Sequence, residues 1–126
     1  MKRSLVLQPL SREHHTALAL AKACEHAALS GDAAMVSQAC QRAIHAFADE
    51  LEPDFQVEEQ SLLPLLQGSE TQPLVQRTLA DHQQLRGLLT GLQQNEVETL
   101  NSFGKYLTAH VRFEERELFP MIEGLL

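Results

Sequence analysis

Leu107-Thr108-Ala109-His110-Val111-Arg112-Phe113-Glu114-Glu115-Arg116-Glu117-Leu118, residues 107–118, interrupts an apolar helical stripe with two ionisable side chains. Val97, Leu100, Phe103 and Leu107 precede the break, and Leu118, Met121 and Leu125 follow it. Steps of three and four mark one face of an amphipathic helix. His110 and Glu114 occupy that face, four residues and one turn apart. A carboxylate buried alone is costly, so it must be paired, protonated or bound to a metal.

The same device recurs upstream. Val36, Ala39, Ala43, Phe47, Leu51, Leu62 and Leu65 form a second stripe, with Asp54 and Glu58 in its gap. His82 lies among Val75, Leu79, Leu85, Leu89 and Leu92. His14 lies among Leu7, Leu10, Leu18, Ala21 and Ala28, with His15 as its competitor for the inward position. Any one of these histidines alone reads as an ordinary core or surface residue. Six inward ionisable groups on four helical faces are hard to satisfy by chance hydrogen bonds. Imidazole and carboxylate are the ligand set of iron, manganese and zinc, and bundle cores are a known setting for it.

Turn signals divide the chain into four helices. The first is expected from a Ser11 cap, with Leu10 as a hydrophobic staple, to about Ser30 and Gly31. Asp32 caps a second helix running to Leu66, kinked at Pro53, which lacks a backbone donor. A turn over 68–71 precedes the third helix, with Pro73 in its first turn. Asn95, with Glu98 three residues on, is expected to cap the fourth helix, which runs to about Ile122. Short connections make neighbours antiparallel. The expected fold is an all-α, up-down-up-down antiparallel four-helix bundle, one domain over 1–126, with a metal site in its core.

Composition agrees. Trp is absent, Tyr occurs once and Phe five times, while helix-forming residues dominate. The 126 residues suffice for one core. Ten basic against 17 acidic residues give a net charge of −7, which disfavours nucleic acid. No apolar run approaches a membrane span. Met1-Lys2-Arg3 begins like a leader, but Pro9 follows too soon for an apolar segment. Cys24 and Cys40 read as small apolar residues in a reducing, cytoplasmic setting. His26 and His45 fit no ligand face. Glu59 and Glu115 read as solvated neighbours of the inward carboxylates. Gly87, Gly91 and Gly104 are expected where helices approach closely.

The stretch Glu58-Glu59-Gln60-Ser61-Leu62-Leu63-Pro64 echoes Glu114-Glu115-Arg116-Glu117-Leu118-Phe119-Pro120, and Glu13-His14 echoes Asp81-His82. With Leu10-Ser11-Arg12-Glu13-His14-His15 and His110-Val111-Arg112-Phe113-Glu114-Glu115, these segments resemble the hemerythrin-like HHE cation-binding domains over nearly the full chain. The resemblance implies ligands at His14, position 54, Glu58, His82, His110 and Glu114. It implies two non-haem iron ions sharing an oxo or hydroxo bridge, with manganese or zinc as alternatives. This sequence departs from the family twice. Asp54 stands where His is expected, and Arg86 stands where oxygen-carrying members have a second helix-three His. Reversible oxygen carriage is thereby disfavoured. The leading expectation is a protein that senses or handles oxygen, nitric oxide or iron. A di-iron oxidase or peroxidase is the alternative, and a metal-free interaction bundle the third. No nucleophile triad or phosphate loop argues for an enzyme.

Overall fold

The computed structural model describes residues 3–126, so Met1-Lys2, the start of the leader-like stretch that Pro9 argues against, lies outside the described residues. Four helical rods make up the molecule, and the described residues contain no strand. The rod α1 is Gln8–Leu29. The rod α2 covers 33–65 and changes its winding four times. It runs α over Ala33–Ala46, π over Phe47–Leu51, α over Glu52–Val57, π over Glu58–Leu62 and 3₁₀ over Leu63–Leu65. The rod α3 is Gln72–Gly87 continued by Leu89–Gln93. The rod α4 joins Val97–Phe113, a π turn over Glu114–Leu118, and Phe119–Glu123.

Cross-rod pairings fix an antiparallel order. His14 meets Glu114 while Gly104 lies against Ala21, so α1 and α4 run oppositely. His82 meets Glu58 while Arg86 meets Glu52, which sets α3 against α2. His110 meets Asp81 while Phe113 lies under Arg77, which sets α4 against α3. A Cβ at Gly104 would stand 2.6 Å from the Ala21 carbonyl oxygen, so only glycine lets α1 and α4 approach this closely. Gly87 has open space around it and needs another reason.

Several helix ends differ from expectation. Pro9 sits in the first turn of α1, where its missing N–H costs nothing, so the helix starts before Ser11. The Ser11 hydroxyl donates instead to Glu115 Oε2 at 2.8 Å. Asp32 does cap α2, accepting from the backbone N–H of Ala34 and Met35 at 2.9 and 3.3 Å. Gly31 before it takes a positive φ of 70°. Asn95 is in the left-handed region with φ 56°, which an amide side chain tolerates. Glu96 is therefore the residue at the start of α4, and no side chain caps it. Pro53 does not break α2. The turn before it widens, so that the Glu52 N–H bonds back to the Phe47 carbonyl, a π-type bond.

The π turns also shift the core face. After Glu58 and Glu114 an ordinary helix would bring Leu65 and Met121 inward, yet these are 44% and 40% exposed. Val97 and Leu125 are exposed as well. A π turn holds one residue more, so the inward positions become Leu62 and Leu66 on α2, and Leu118 and Ile122 on α4. Leu63 and Phe119 are buried beside them. Two apolar clusters result. One gathers Leu20, Phe47, Leu51, Phe55, Leu85, Leu100, Phe103 and Leu107. The other gathers Leu7, Leu10, Leu62, Leu66, Phe113, Leu118, Phe119 and Ile122. Between them lies the layer of ionisable side chains.

Candidate metal centre

Four side chains in this layer are removed from water: Glu58 at 1% exposure, His82 at 0%, His110 at 2% and Glu114 at 1%. Each offers one ligand atom, and the four atoms all lie within 4.8 Å of one another. Glu58 and Glu114 each open a π turn, a winding that recurs at functional sites. His14 joins from α1, its Nε2 2.9 Å from Glu114 Oε1. His82 Nε2 is 2.7 Å from Glu58 Oε1. His110 Nε2 stands 3.3 Å from Glu114 Oε2 and 3.9 Å from Glu58 Oε1. Neither His110 Nε2 nor Glu114 Oε2 completes a hydrogen bond among the described residues, although both are fully buried.

Each imidazole is held from behind by a carboxylate on its other nitrogen. His14 Nδ1 meets Glu115 Oε2 at 2.6 Å, His82 Nδ1 meets Glu59 Oε2 at 2.6 Å, and His110 Nδ1 meets Asp81 Oδ2 at 2.9 Å. Glu59 and Glu115 are therefore not solvated neighbours. An arginine backs each carboxylate: Arg3 on Glu115 at 3.0 Å, Arg86 on Glu59 at 3.0 Å, and Arg77 on Asp81 at 3.0 Å. The three arginines lie over Phe119, Phe55 and Phe113. Phe119 stacks on His14 and Phe55 on His82. A carboxylate on Nδ1 holds each ring with Nε2 turned into the layer, which is the arrangement that orients metal-binding histidines.

The charges explain the perturbed acidities. Burial alone would lower the pKa of His14, but Glu114 and Glu115 outweigh it and the group titrates higher than usual. Burial likewise opposes protonation of His110, and the Glu114 charge and the Asp81 hydrogen bond overcome it, raising its pKa well above the ordinary value. Burial pushes Glu58 up, reinforced by the nearby Glu114 charge. Glu114 also suffers burial, yet the charge of His110 and its hydrogen bonds hold it below the usual carboxylate range. His14 and His110 therefore hold a proton more tightly than a free imidazole, next to the Glu114 carboxylate.

Asp54 is half-buried and lines the small cavity that His14, Glu58, His110 and Glu114 also line. Its carboxyl faces Glu13 of α1, which interrupts no apolar stripe in the sequence. Burial first, and the neighbouring Glu13 carboxylate next, push Asp54 up to about 9. His15 is exposed on the outer side of α1, beside Arg12 and Ser11, and does not join the layer. His26 and His45 are exposed too. Cys24 and Cys40 are buried and unbonded, and burial raises the Cys24 thiol to about 12. They pack as small apolar residues.

The donor set suits a cation. Three imidazoles anchored through Nδ1 and buried carboxylates converge, and His110 Nε2 and Glu114 Oε2 lack a partner, a combination that a protein without a ligand rarely keeps. No described helix is long and apolar enough to cross a membrane. A family model described as Hemerythrin HHE cation binding domain matches residues 5–123. No curated protein and no solved structure matches the chain significantly.

Proposed function

The chain belongs to the hemerythrin HHE cation-binding domain family, and from that premise we propose that it holds two non-haem iron ions and senses or handles oxygen, nitric oxide or iron. The ligands in this reading are His14, Asp54, Glu58, His82, His110 and Glu114. The observation that carries it is the buried cluster of Glu58, His82, His110 and Glu114, with ligand atoms within 4.8 Å and two of them unpartnered. Bound iron would supply one-electron redox chemistry and a position open to a small diatomic ligand.

The protein's part is to hold and insulate. Glu59, Glu115 and Asp81 keep the three imidazoles turned inward, and their arginines keep those carboxylates ionised. The two apolar clusters on either side exclude water from the layer. The cavity is small and lined by α1, α2 and α4, which favours oxygen or nitric oxide over an organic substrate and supports a sensing role above an oxidase. Arg86, placed where oxygen carriers have a His, is engaged with Glu52 and Glu59, at 2.7 and 3.0 Å, and supports the same preference. A cytoplasmic setting fits the unbonded Cys24 and Cys40.

The test is elemental analysis of the protein from its native host, followed by anaerobic iron reconstitution. Two irons per chain, a raised Tm and a visible spectrum altered by nitric oxide are expected. Metal-free protein whose melting ignores added iron, manganese and zinc would sink the proposal.

A further inference from the structure

Glu13 stands to position 54 as Asp81 stands to His110. Glu13 precedes His14 on α1, and Asp81 precedes His82 on α3. Asp81 reaches across to the next rod and holds His110 Nδ1 at 2.9 Å. Glu13 reaches across in the same way, but what it meets is the Asp54 carboxyl. An imidazole there would offer it an N–H, and Asp54 offers none. Glu13 Oε2 is accordingly fully buried without a hydrogen-bond partner among the described residues. Among the described residues no arginine or lysine pairs with Glu13 either, whereas Arg77 pairs with Asp81 at 3.0 Å. Length is exchanged as well: position 54 carries a side chain shorter than imidazole, and position 13 one carbon more than Asp81.

Two carboxylates facing each other would not by themselves make a site. Here they line one cavity with His110 and Glu114, residues 2% and 1% exposed, whose Nε2 and Oε2 lack partners. Glu13 Oε2, His110 Nε2 and Glu114 Oε2 thus lack partners around one cavity that Asp54 also lines. We propose that Glu13 is a metal ligand: with Asp54 it gives the second cation position an oxygen face in place of an imidazole and its supporting carboxylate. The inference rests on the metal-binding reading above. The two positions are then unlike. One is served by His82 and His110, with Glu58 and Glu114. The other is served by His14, Glu13 and Asp54, and favours a hard cation such as manganese(II) or iron over copper or zinc.

The test is anaerobic titration of metal-free full-length protein with iron(II), and separately with manganese(II), counting ions per chain by calorimetry and elemental analysis. Wild type should take two ions. Glu13→Gln should weaken the second by at least about tenfold, with the first unchanged, and the metal-free variant should melt no lower than wild type. Glutamine is the discriminating choice because its amide can donate to Asp54. If Glu13 merely abuts Asp54, Glu13→Gln would retain or strengthen the second ion, and that result overturns the proposal. His82→Ala should weaken the first ion whatever stands at position 13. A wild type that binds one ion, with Glu13→Gln identical, also overturns the assignment of Glu13 while metal binding stands. A wild type that binds none removes the metal-binding reading itself.

Discussion

At position 110 an imidazole points into the cavity, Asp81 grips it from behind, and Arg77 grips Asp81. At position 54, the equivalent place on α2, the inward group is a half-buried carboxyl, the group behind it is Glu13, and no cation among the described residues backs the pair. The remaining parts of the two halves agree closely. His14 and His82 use the same doubled glutamates, the same arginine support and the same stacked phenylalanine. The contrast teaches what an inward histidine requires here. It needs an anionic partner on Nδ1 and a cation to keep that partner anionic, and replacing the histidine leaves the partner stranded.

The largest effect should come from the complete half. His110→Ala removes an imidazole and leaves Asp81 and Glu114 facing empty space, so at least one metal ion should be lost, as with Glu114→Ala. His26→Ala and His45→Ala should keep the wild-type count in elemental analysis. Equal metal in all four variants would mean that the inward face is wrongly drawn.

Next come the glutamates behind the imidazoles. Glu59→Gln and Glu115→Gln should each lower metal affinity about 10–100-fold, because the imidazole loses a charge-assisted anchor. Matching losses in a competitive chelator titration would affirm that the halves are equivalent. An effect from one alone would break the equivalence of the two halves.

A third, smaller effect separates the α1–α4 pair from the α2–α3 pair. Gly104→Ala forces a methyl against the Ala21 carbonyl, 2.6 Å away, and should cost about 1–3 kcal/mol of stability. The Tm should fall by several degrees with metal per chain unchanged. An unaltered Tm would mean that the two rods can part freely.

The smallest effect concerns Asp54 in the metal-free protein. A carboxyl whose pKa rises on folding, here to about 9, binds its proton more tightly when folded. Its contribution to stability therefore declines as pH climbs from about 4 to about 9. Asp54→Asn should flatten that decline and raise stability at pH 8 by about 1 kcal/mol, a figure reduced because the group is half exposed to water. Glu59, Glu115 and Asp81 have lowered pKa values, so their contribution is lost only at acid pH, outside this window. Identical pH–stability curves for wild type and Asp54→Asn would dismiss the strain at Asp54.

The inward positions His14, Glu58, His82, His110 and Glu114 were legible because each interrupts an apolar stripe of period 3.6. The four rods were legible for the same reason. The winding of α2 and α4 was not. A π turn has no composition of its own, so period alone sends Leu65 and Met121 inward where Leu66 and Ile122 are found. Glu59 and Glu115 read as solvated because adjacent residues diverge by about 100° on a helix. Their long side chains nevertheless curl behind an imidazole whose front already faces Glu58 or Glu114. The repeated Glu-Glu doublet was the available signal. Glu13 carried a signal too, in its echo of Asp81, but only the cross-rod contact of Asp81 with His110 reveals what that echo means.

Counted along the chain rather than viewed in space, each π turn is a surplus residue. Removing one residue from an ordinary stretch of α4, such as exposed Tyr106, would swivel everything beyond it by about 100° and turn Leu118, Phe119 and Ile122 out of their apolar cluster. Removing exposed Arg116 from within the π turn would only return that turn to α winding, and the residues beyond would keep their facing. Such a deletion should leave the apolar end packed and disturb chiefly the setting of Glu114. Residue count thus separates the closure of the bundle from the tuning of its centre, so that each can change without rewriting the other.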